Sequence, residues 1–189
     1  MHRLALHMTM LLALVSCGDD SASVDAALGD TPVADAALDG GADATDFTRC
    51  EGACAVTNLS ADFGGVVESL DLAFFGVEPD GSLRVEIYGG AADECPTMDS
   101  PSPDRTIVIP SISPPRDTTP VDVVTTLLDF EGTLTSEPLL RATSATATPM
   151  SARLEPLETA FVRFDLVATF EGGMMSGSVY ATHCASLDG

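Results

Sequence analysis

Residues 161–184, with the sequence FVRFDLVATFEGGMMSGSVYATHC, decide the fold. Apolar and polar residues alternate on both sides of Gly172 and Gly173, which is typical of strands that are buried on one face. Two adjacent glycines accept the positive φ angles of a two-residue hairpin turn. With Glu171 paired to Met174, the core face carries Val162, Phe164, Leu166, Ala168 and Phe170 on one strand and Met175, Gly177, Val179, Ala181 and His183 on the other. The stretch therefore predicts a long hairpin with one core face and one polar face.

The same alternation occurs earlier in the chain. One strand is predicted over 66–74, where Val66, Leu70, Leu72 and Phe74 share a parity, and another over 83–88, where Arg84, Glu86 and Tyr88 point away from the core. The segment 78–81, Glu-Pro-Asp-Gly, lies between them and has turn chemistry. These two runs predict a second antiparallel pair.

Short strands separated by turns dominate the rest of the chain. We expect strands over 106–112, 121–130 and 139–148, with proline-rich loops at 96–103 and 114–120. Helical runs are predicted only at 91–92 and 152–157, and Pro96 and Pro156 keep both short. The sequence therefore predicts a mainly β domain over 47–189, an antiparallel β-sandwich or a barrel-like sheet with disulfides.

Four cysteines lie in this predicted domain, namely Cys50, Cys54, Cys95 and Cys184. An even number in an exported chain is typical of disulfides, and four cysteines allow three pairings. We expect Cys50 and Cys54 to bond to Cys95 and Cys184, because closing loops of roughly 40 to 130 residues stabilises by about 4 kcal/mol per bridge in the chain-entropy model. A local bond between Cys50 and Cys54 is the alternative. No metal is expected, since these spacings fit no zinc finger or ribbon.

The predicted domain is strongly acidic. Eight of the chain's 29 acidic residues lie in 18–46, which leaves 21 acidic residues and seven arginines in 47–189, and the chain has no lysine. Nucleic acid and anionic lipid headgroups require a basic surface, so neither is an expected partner of the domain. Divalent cations, cationic peptides and neutral sugars are compatible with this charge.

Residues 18–46 are predicted to be a disordered acidic tether. All eight acidic residues there are aspartates, no residue is basic, and alanine, glycine and serine fill most of the rest. Such a segment has too little apolar surface to offset the entropy lost on ordering. A transient helix and weak cation binding are the alternatives, although the aspartates lack the spacing of a calcium loop.

The chain begins with a leader. Arg3 provides a positive start, and the apolar run 4–15 leads into Leu14-Val15-Ser16-Cys17. A run of about 12 residues is too short to span a membrane, which takes roughly 20. The last four residues resemble the lipobox of bacterial lipoproteins, which makes 1–16 a lipoprotein signal peptide. An ordinary secretory signal is the alternative.

The lipobox resemblance implies that Cys17 is acylated and becomes the N-terminus of the mature protein. Acyl chains contribute about 0.8 kcal/mol per buried methylene, and more than one chain gives stable anchoring. Gly18 stands at the second mature position, where an aspartate would mark retention in the inner membrane, so the resemblance implies sorting to the outer membrane. We therefore expect a lipid-anchored protein of the cell envelope, in which 17–46 is the lipidated cysteine plus tether.

A second resemblance concerns the C-terminal hairpin. Phe164-Asp165-Leu166, Phe170-Glu171-Gly172-Gly173 and the segment 176–184 resemble the closing hairpin of β domains in uncharacterised bacterial lipoproteins. Those residues are common in β-strands in general. The resemblance implies a β domain and brings no activity with it.

The sequence offers few candidates for catalysis. His183 is the one histidine left once His2 and His7 leave with the leader, and no Gly-x-Ser-x-Gly elbow precedes it, so we interpret it as a structural residue. Tyr88 and Tyr180, both at outward parity, are interpreted as ordinary cross-strand neighbours. With no catalytic residue or cofactor expected, the sequence predicts a non-enzymatic structural or binding domain, with an envelope protein or glycan as its partner. An envelope hydrolase that uses acidic residues with His183 is the alternative.

Overall fold

The computed structural model describes residues 47–91 and 94–189. The predicted signal peptide, Cys17 as the predicted site of lipid attachment, and the predicted tether lie outside the described residues. Short 3₁₀ turns occur at Gly52–Cys54, Leu157–Thr159 and Ala185–Leu187. The strands are β1 (Asn58–Phe63), β2 (Val66–Leu70), β3 (Leu72–Val77), β4 (Leu83–Gly89), β5 (Arg105–Ile112), β6 (Val121–Asp122), β7 (Thr126–Asp129), β8 (Leu139–Arg141), β9 (Ser144–Arg153), β10 (Phe161–Phe170) and β11 (Gly173–His183).

These strands form one curled open sheet, a half-barrel. The strand order is β6-β9-β10-β11-β3-β4-β5-β7-β8, and the β1–β2 hairpin joins it along β11. Neighbouring strands are antiparallel except β11 and β3, which run parallel where Thr182 and His183 pair with Phe74 and Phe75. The prediction of a mainly β, barrel-like domain with disulfides is confirmed.

The chain crosses between the two ends of the sheet. β6 pairs with β9 at one end, whereas β7, only a few residues later, pairs with β5 and β8 at the other end. The strand predicted over 121–130 is therefore divided into β6 and β7, and the strand predicted over 139–148 is divided into β8 and β9. A continuous strand could not make both sets of hydrogen bonds, because its two halves have different neighbours.

The strand predicted over 66–74 is also two strands. β2 ends at Leu70 and β3 begins at Leu72, and the N–H of Asp71 between them donates to the carbonyl of Tyr88 at 3.2 Å. β2 pairs with β1, whereas β3 pairs with β4 and β11. Because the chain changes neighbouring strands at Asp71, the residues of equal parity in 66–74 do not share one buried face. Val66 is 43% exposed while Phe74 is 6% exposed.

The C-terminal hairpin has the predicted faces in a different register. Phe170 pairs with Gly173, so Glu171 and Gly172 form the turn, and Gly172 takes the positive φ angle of 86°. This register differs by two residues from the predicted one. Side chains alternate with period two, so the residues predicted for the core face still share it. Gly173 is required instead by the approach of β1, since a Cβ there would lie 2.4 Å from the ring of Phe63.

The main core fills the inside of the half-barrel. Each of its large buried side chains contributes about 1.5–3 kcal/mol through loss of exposed apolar surface. Fully buried members are Leu59, Phe75, Val85, Ile87, Ile107, Ile109, Leu127, Leu166 and Met175. Strands from both predicted hairpin regions supply these residues, so one core supports the whole sheet.

The N-terminal segment 47–57 connects β9 to β11. Its first residue, Phe47, accepts a hydrogen bond from the N–H of Ala152 at 2.8 Å. At its other end the Thr57 hydroxyl donates to the Tyr180 carbonyl at 2.9 Å and accepts from the Tyr180 N–H at 3.0 Å. The Tyr180 ring stacks on Phe161 with 5.3 Å between centroids. Tyr180 is therefore a packing residue, as the sequence predicts.

Candidate functional site

A groove of about 680 Å³ lies on the outer face of the sheet. Its floor is made by the side chains of β4, β5 and β7 that alternate with core residues and point away from them. The floor residues are Arg84, Glu86, Tyr88, Thr106, Val108 and Leu128. Strand register places Tyr88 opposite Thr106 and Thr106 opposite Leu128, so the groove crosses three adjacent strands.

A charged triad is fixed in the groove floor. Arg84 donates to Oε1 of Glu86 through Nε at 2.8 Å and Nη2 at 2.5 Å, and the Tyr88 hydroxyl donates to Oε2 at 2.5 Å. Burial raises the pKa of Tyr88 above its usual value, and the hydrogen bond to the Glu86 carboxylate raises it further, so the phenol remains a donor. Both Glu86 oxygens are occupied and its charge is balanced by Arg84.

One wall of the groove is the loop 96–103, which a disulfide fixes to the C-terminal tail. Cys95 and Cys184 are bonded, with 5.5 Å between their Cα atoms. The adjacent Ser186 hydroxyl donates to the Pro96 carbonyl and lies 3.1 Å from Sγ of Cys184. Cys184 packs with Phe74 and Tyr88 in a small apolar cluster outside the main core. The wall is thus tied to the floor through Tyr88.

This disulfide overturns our expected pairing of the four cysteines. The second bond joins Cys50 to Cys54, four residues apart, with 5.2 Å between their Cα atoms. The 3₁₀ turn Gly52–Cys54 causes this, because it returns the chain and brings the two cysteines within bonding distance. The length of the closed loop determines how much stability a disulfide adds, whereas local geometry determines which disulfide forms.

Phe130 forms the opposite rim of the groove and is 57% exposed. Its N–H donates to the Asp104 carbonyl at 3.0 Å. The following loop is fixed by buried Asp129, whose carboxylate accepts from the N–H groups of Gly132, Leu134 and Thr135 at 2.8–3.1 Å. The exposed aromatic ring therefore stands on a rigid base.

His183 lies at the end of β11, away from the groove floor. Its Nε2 lies 3.1 Å from Oδ1 of Asp188, and its ring lies 5.5 Å from that of Phe75. Asp188 also accepts the Val77 N–H at 2.8 Å, and this bond, with the smaller effect of His183, holds the pKa of its carboxyl below the usual value. The neighbouring Ser186 hydroxyl is directed to Pro96. His183 and Asp188 thus fasten the C-terminal tail to β3.

Sequence reasoning did not find this groove. Alternation correctly placed Arg84, Glu86 and Tyr88 on the outer side of β4, but Tyr88 and Glu86 are buried there beneath a loop. The available signal was the loop itself, since three prolines and a cysteine at 95–103 indicate a restrained segment. Cys95 is bonded to Cys184, 89 residues later in the chain, and this bond determines where the loop lies on the sheet.

Comparison with protein-family models, with curated protein sequences and with solved structures found no match to this chain. Within residues 47–91 and 94–189, no group of three or more His, Cys, Asp or Glu side chains is arranged to hold a metal ion. The same part of the chain contains no helix long and apolar enough to cross a membrane.

Proposed function

We propose that this chain is a lipid-anchored protein of the cell envelope, sorted to the outer membrane, whose domain binds a ligand in the groove and catalyses no reaction. The groove carries the binding role, because it combines a mostly apolar surface with one fixed polar group. Ligand sites in proteins are typically concave and apolar, with a few polar groups that orient the ligand. The Arg84–Glu86–Tyr88 triad is such a group.

Exposed apolar side chains beside the groove support this proposal. Met98 on the loop wall is fully exposed, and Phe130 on the rim is more than half exposed. Large exposed apolar residues around one concavity are typical of binding surfaces. Envelope proteins and glycans are the two kinds of partner we propose for this surface.

Binding in the groove is tested by NMR on the soluble Cys17→Ser chain, with libraries of short peptides and oligosaccharides. We expect hits to shift the amides of Thr106, Val108 and Leu128. The Val108→Arg variant fills the floor and should abolish those shifts, whereas Val167→Arg, the same change at an exposed position of β10, should leave them. Hits confined to other surfaces, or no hits at all, would exclude the groove as a ligand site.

The anchor is tested by fractionating cells that express the full chain. Wild-type protein should sediment with membranes after a carbonate wash, because more than one acyl chain gives stable attachment. The Cys17→Ser variant should be released. If it sediments as before, lipid attached at Cys17 is not the anchor.

The second candidate, an envelope hydrolase that uses acidic residues with His183, is supported by one observation. His183 lies 3.1 Å from Asp188, which is the kind of contact that joins the base and the orienting group in a hydrolytic triad. Hydrolysis of p-nitrophenyl esters by the pure chain that is lost in His183→Ala and retained in Glu86→Gln would favour this candidate. Equal background rates in all three proteins would remove it.

A further inference from the structure

We infer that the groove binds an extended, apolar segment of polypeptide that carries basic residues. This inference rests on the proposed function of the groove as a ligand site and adds the chemistry of the ligand. Three properties of the groove support it, namely its apolar walls, the charge around it and its length across the strands.

The apolar character comes from side chains that the fold leaves exposed or half-buried. Met98 is 106% exposed and Phe130 is 57% exposed, and they face the half-buried Val108 and Leu128 across the groove. Binding of an apolar ligand side chain between them would be stabilised by about 25 cal/mol for each Å² of apolar surface that ligand and groove remove from water. Tyr88 offers no exposed ring for a sugar to stack on, since it is 5% exposed and its hydroxyl is bound to Glu86. Phe130 is the one exposed ring in the groove lining, whereas Met98, Val108 and Leu128 are aliphatic, so the surface suits aliphatic side chains better than a glycan.

The charge around the groove favours a cationic ligand. Asp99 lies exposed on the loop that forms the wall, and Glu94 lies exposed just before that loop. Glu131 follows Phe130 on the opposite rim, where its carboxylate is paired with Arg105 at 3.2 Å. The cation on the floor, Arg84, is already paired with Glu86. Since the domain has 21 acidic residues against seven arginines, its wider field also attracts cations and repels anions. Basic residues on either side of an apolar one would meet these carboxylates.

The length of the groove fits a short extended segment. It crosses β7, β5 and β4, which lie about 4.8 Å apart, and continues to the C-terminal tail at Ser186 and Leu187. An extended chain advances about 3.3 Å per residue, so three to five residues cover this distance. Side chains of an extended segment point alternately to its two faces, so apolar residues can face the floor while basic residues face outward into the negative field of the domain.

The test uses fluorescein-labelled five-residue peptides and the soluble Cys17→Ser chain in fluorescence anisotropy. The probes are Leu-Lys-Leu-Lys-Leu and three analogues in which serine replaces lysine, glutamate replaces lysine, or serine replaces leucine. We expect the leucine–lysine peptide to bind about tenfold more tightly than either serine analogue, which corresponds to the loss of about 1.4 kcal/mol. The glutamate analogue should not bind.

Matched variants separate the groove from general charge attraction. Glu94→Gln with Asp99→Asn should weaken binding of the leucine–lysine peptide several-fold at low salt. Glu158→Gln with Asp165→Asn removes the same charge at exposed positions outside the groove and should have little effect. The two double variants should converge at about 1 M salt, where the screening length is about 3 Å.

Each contrary result has a distinct meaning. Equal binding of the lysine and serine peptides would overturn the basic character of the ligand, and binding that survives Val108→Arg would place the peptide elsewhere, for example on the aspartate-rich segment 18–46. If no peptide binds while oligosaccharides shift the groove amides, this inference fails and the proposed function stands. If nothing occupies the groove, both fail.

Discussion

The N-terminal segment 47–57 and the C-terminal tail 184–189 both lie against the sheet, and both contain a cysteine in a disulfide, but they are held in different ways. The N-terminal disulfide joins residues four apart and ties the segment only to itself. Hydrogen bonds from its two ends attach it to β9 and β11. The C-terminal disulfide spans 89 residues and joins the tail to the groove wall.

The tail also packs directly against the backbone of β3. A Cβ added to Gly76 on β3 would lie 2.2 Å from the carbonyl oxygen of Leu187. Beyond that contact, the Gly189 N–H donates to the Val77 carbonyl at 3.2 Å, and Asp188 accepts the Val77 N–H. The groove therefore depends on a covalent link between distant residues, whereas the N-terminal segment depends on a few hydrogen bonds to β9 and β11.

Removing the two disulfides in turn should give the largest contrast. In the chain-entropy model, loss of a loop of about 90 residues costs about 4–5 kcal/mol, and loss of a five-residue loop costs about 2 kcal/mol. We therefore expect the Cys95→Ala/Cys184→Ala variant to be the less stable one by about 2–3 kcal/mol in urea unfolding. Cys50→Ala/Cys54→Ala should unfold nearer the wild type.

Neither double variant leaves an unpaired thiol in the domain, so aggregation through free cysteines cannot cause a difference in stability between them. Equal losses of stability, or a larger loss in the Cys50/Cys54 variant, would contradict the comparison. The mass of the wild-type protein before and after reduction verifies that both bonds are present at the start.

Replacement of Thr57 by valine tests the hydrogen bonds that hold the N-terminal segment. Thr57 is 6% exposed, and valine has nearly the same shape but leaves the Tyr180 N–H and carbonyl without their partner. The expected cost is about 2 kcal/mol, since buried polar groups would lose their hydrogen bonds. Thr143→Val, at an exposed position, is the matched control. A Thr57→Val variant as stable as this control would show that the segment is held by other contacts.

The smallest effect should come from Asp188→Asn, and it should depend on pH. The carboxyl of Asp188 has a pKa below its ordinary value of 3.8 in the folded protein, because it accepts the Val77 N–H and contacts His183. Its contribution to stability is therefore complete above that value and disappears as the pH falls through the lowered pKa. Since the side chain is 37% exposed, solvent keeps the contribution small. Melting curves of wild type and variant should differ slightly at pH 6, and the difference should shrink as the pH falls below 3.8.

The sequence predicted those features of the fold that depend on alternation alone. The parity of 161–184 and of 83–88 correctly separated core from outer residues, because a strand with one buried face must alternate. A two-residue error in the hairpin register did not disturb this, since it preserves parity. The cause of the error was Gly173, which serves the close approach of β1 rather than the turn.

Features that depend on distant contacts were not predictable in the same way. Strand breaks at 71 and within 121–130 occur where the chain changes neighbours, and nothing in the local residues indicates this. Burial of Glu86 and Tyr88 depends on a loop fixed by a bond to Cys184. Loop entropy alone predicts the wrong cysteine pairing, because the turn at 52–54 brings Cys50 and Cys54 together.

The central claim, that the groove is the ligand site, is tested most directly by the methionine methyl groups. Four methionines lie in 47–189, at positions 98, 150, 174 and 175, so a ¹³C-methyl spectrum of the soluble Cys17→Ser chain without the leader contains four signals. Met98 lines the groove, whereas Met150 and Met174 are exposed on other strands and Met175 is in the core. On titration with Leu-Lys-Leu-Lys-Leu, we expect the Met98 signal to shift and the other three to stay in place. A shift at Met150 or Met174 with Met98 unchanged would contradict this claim.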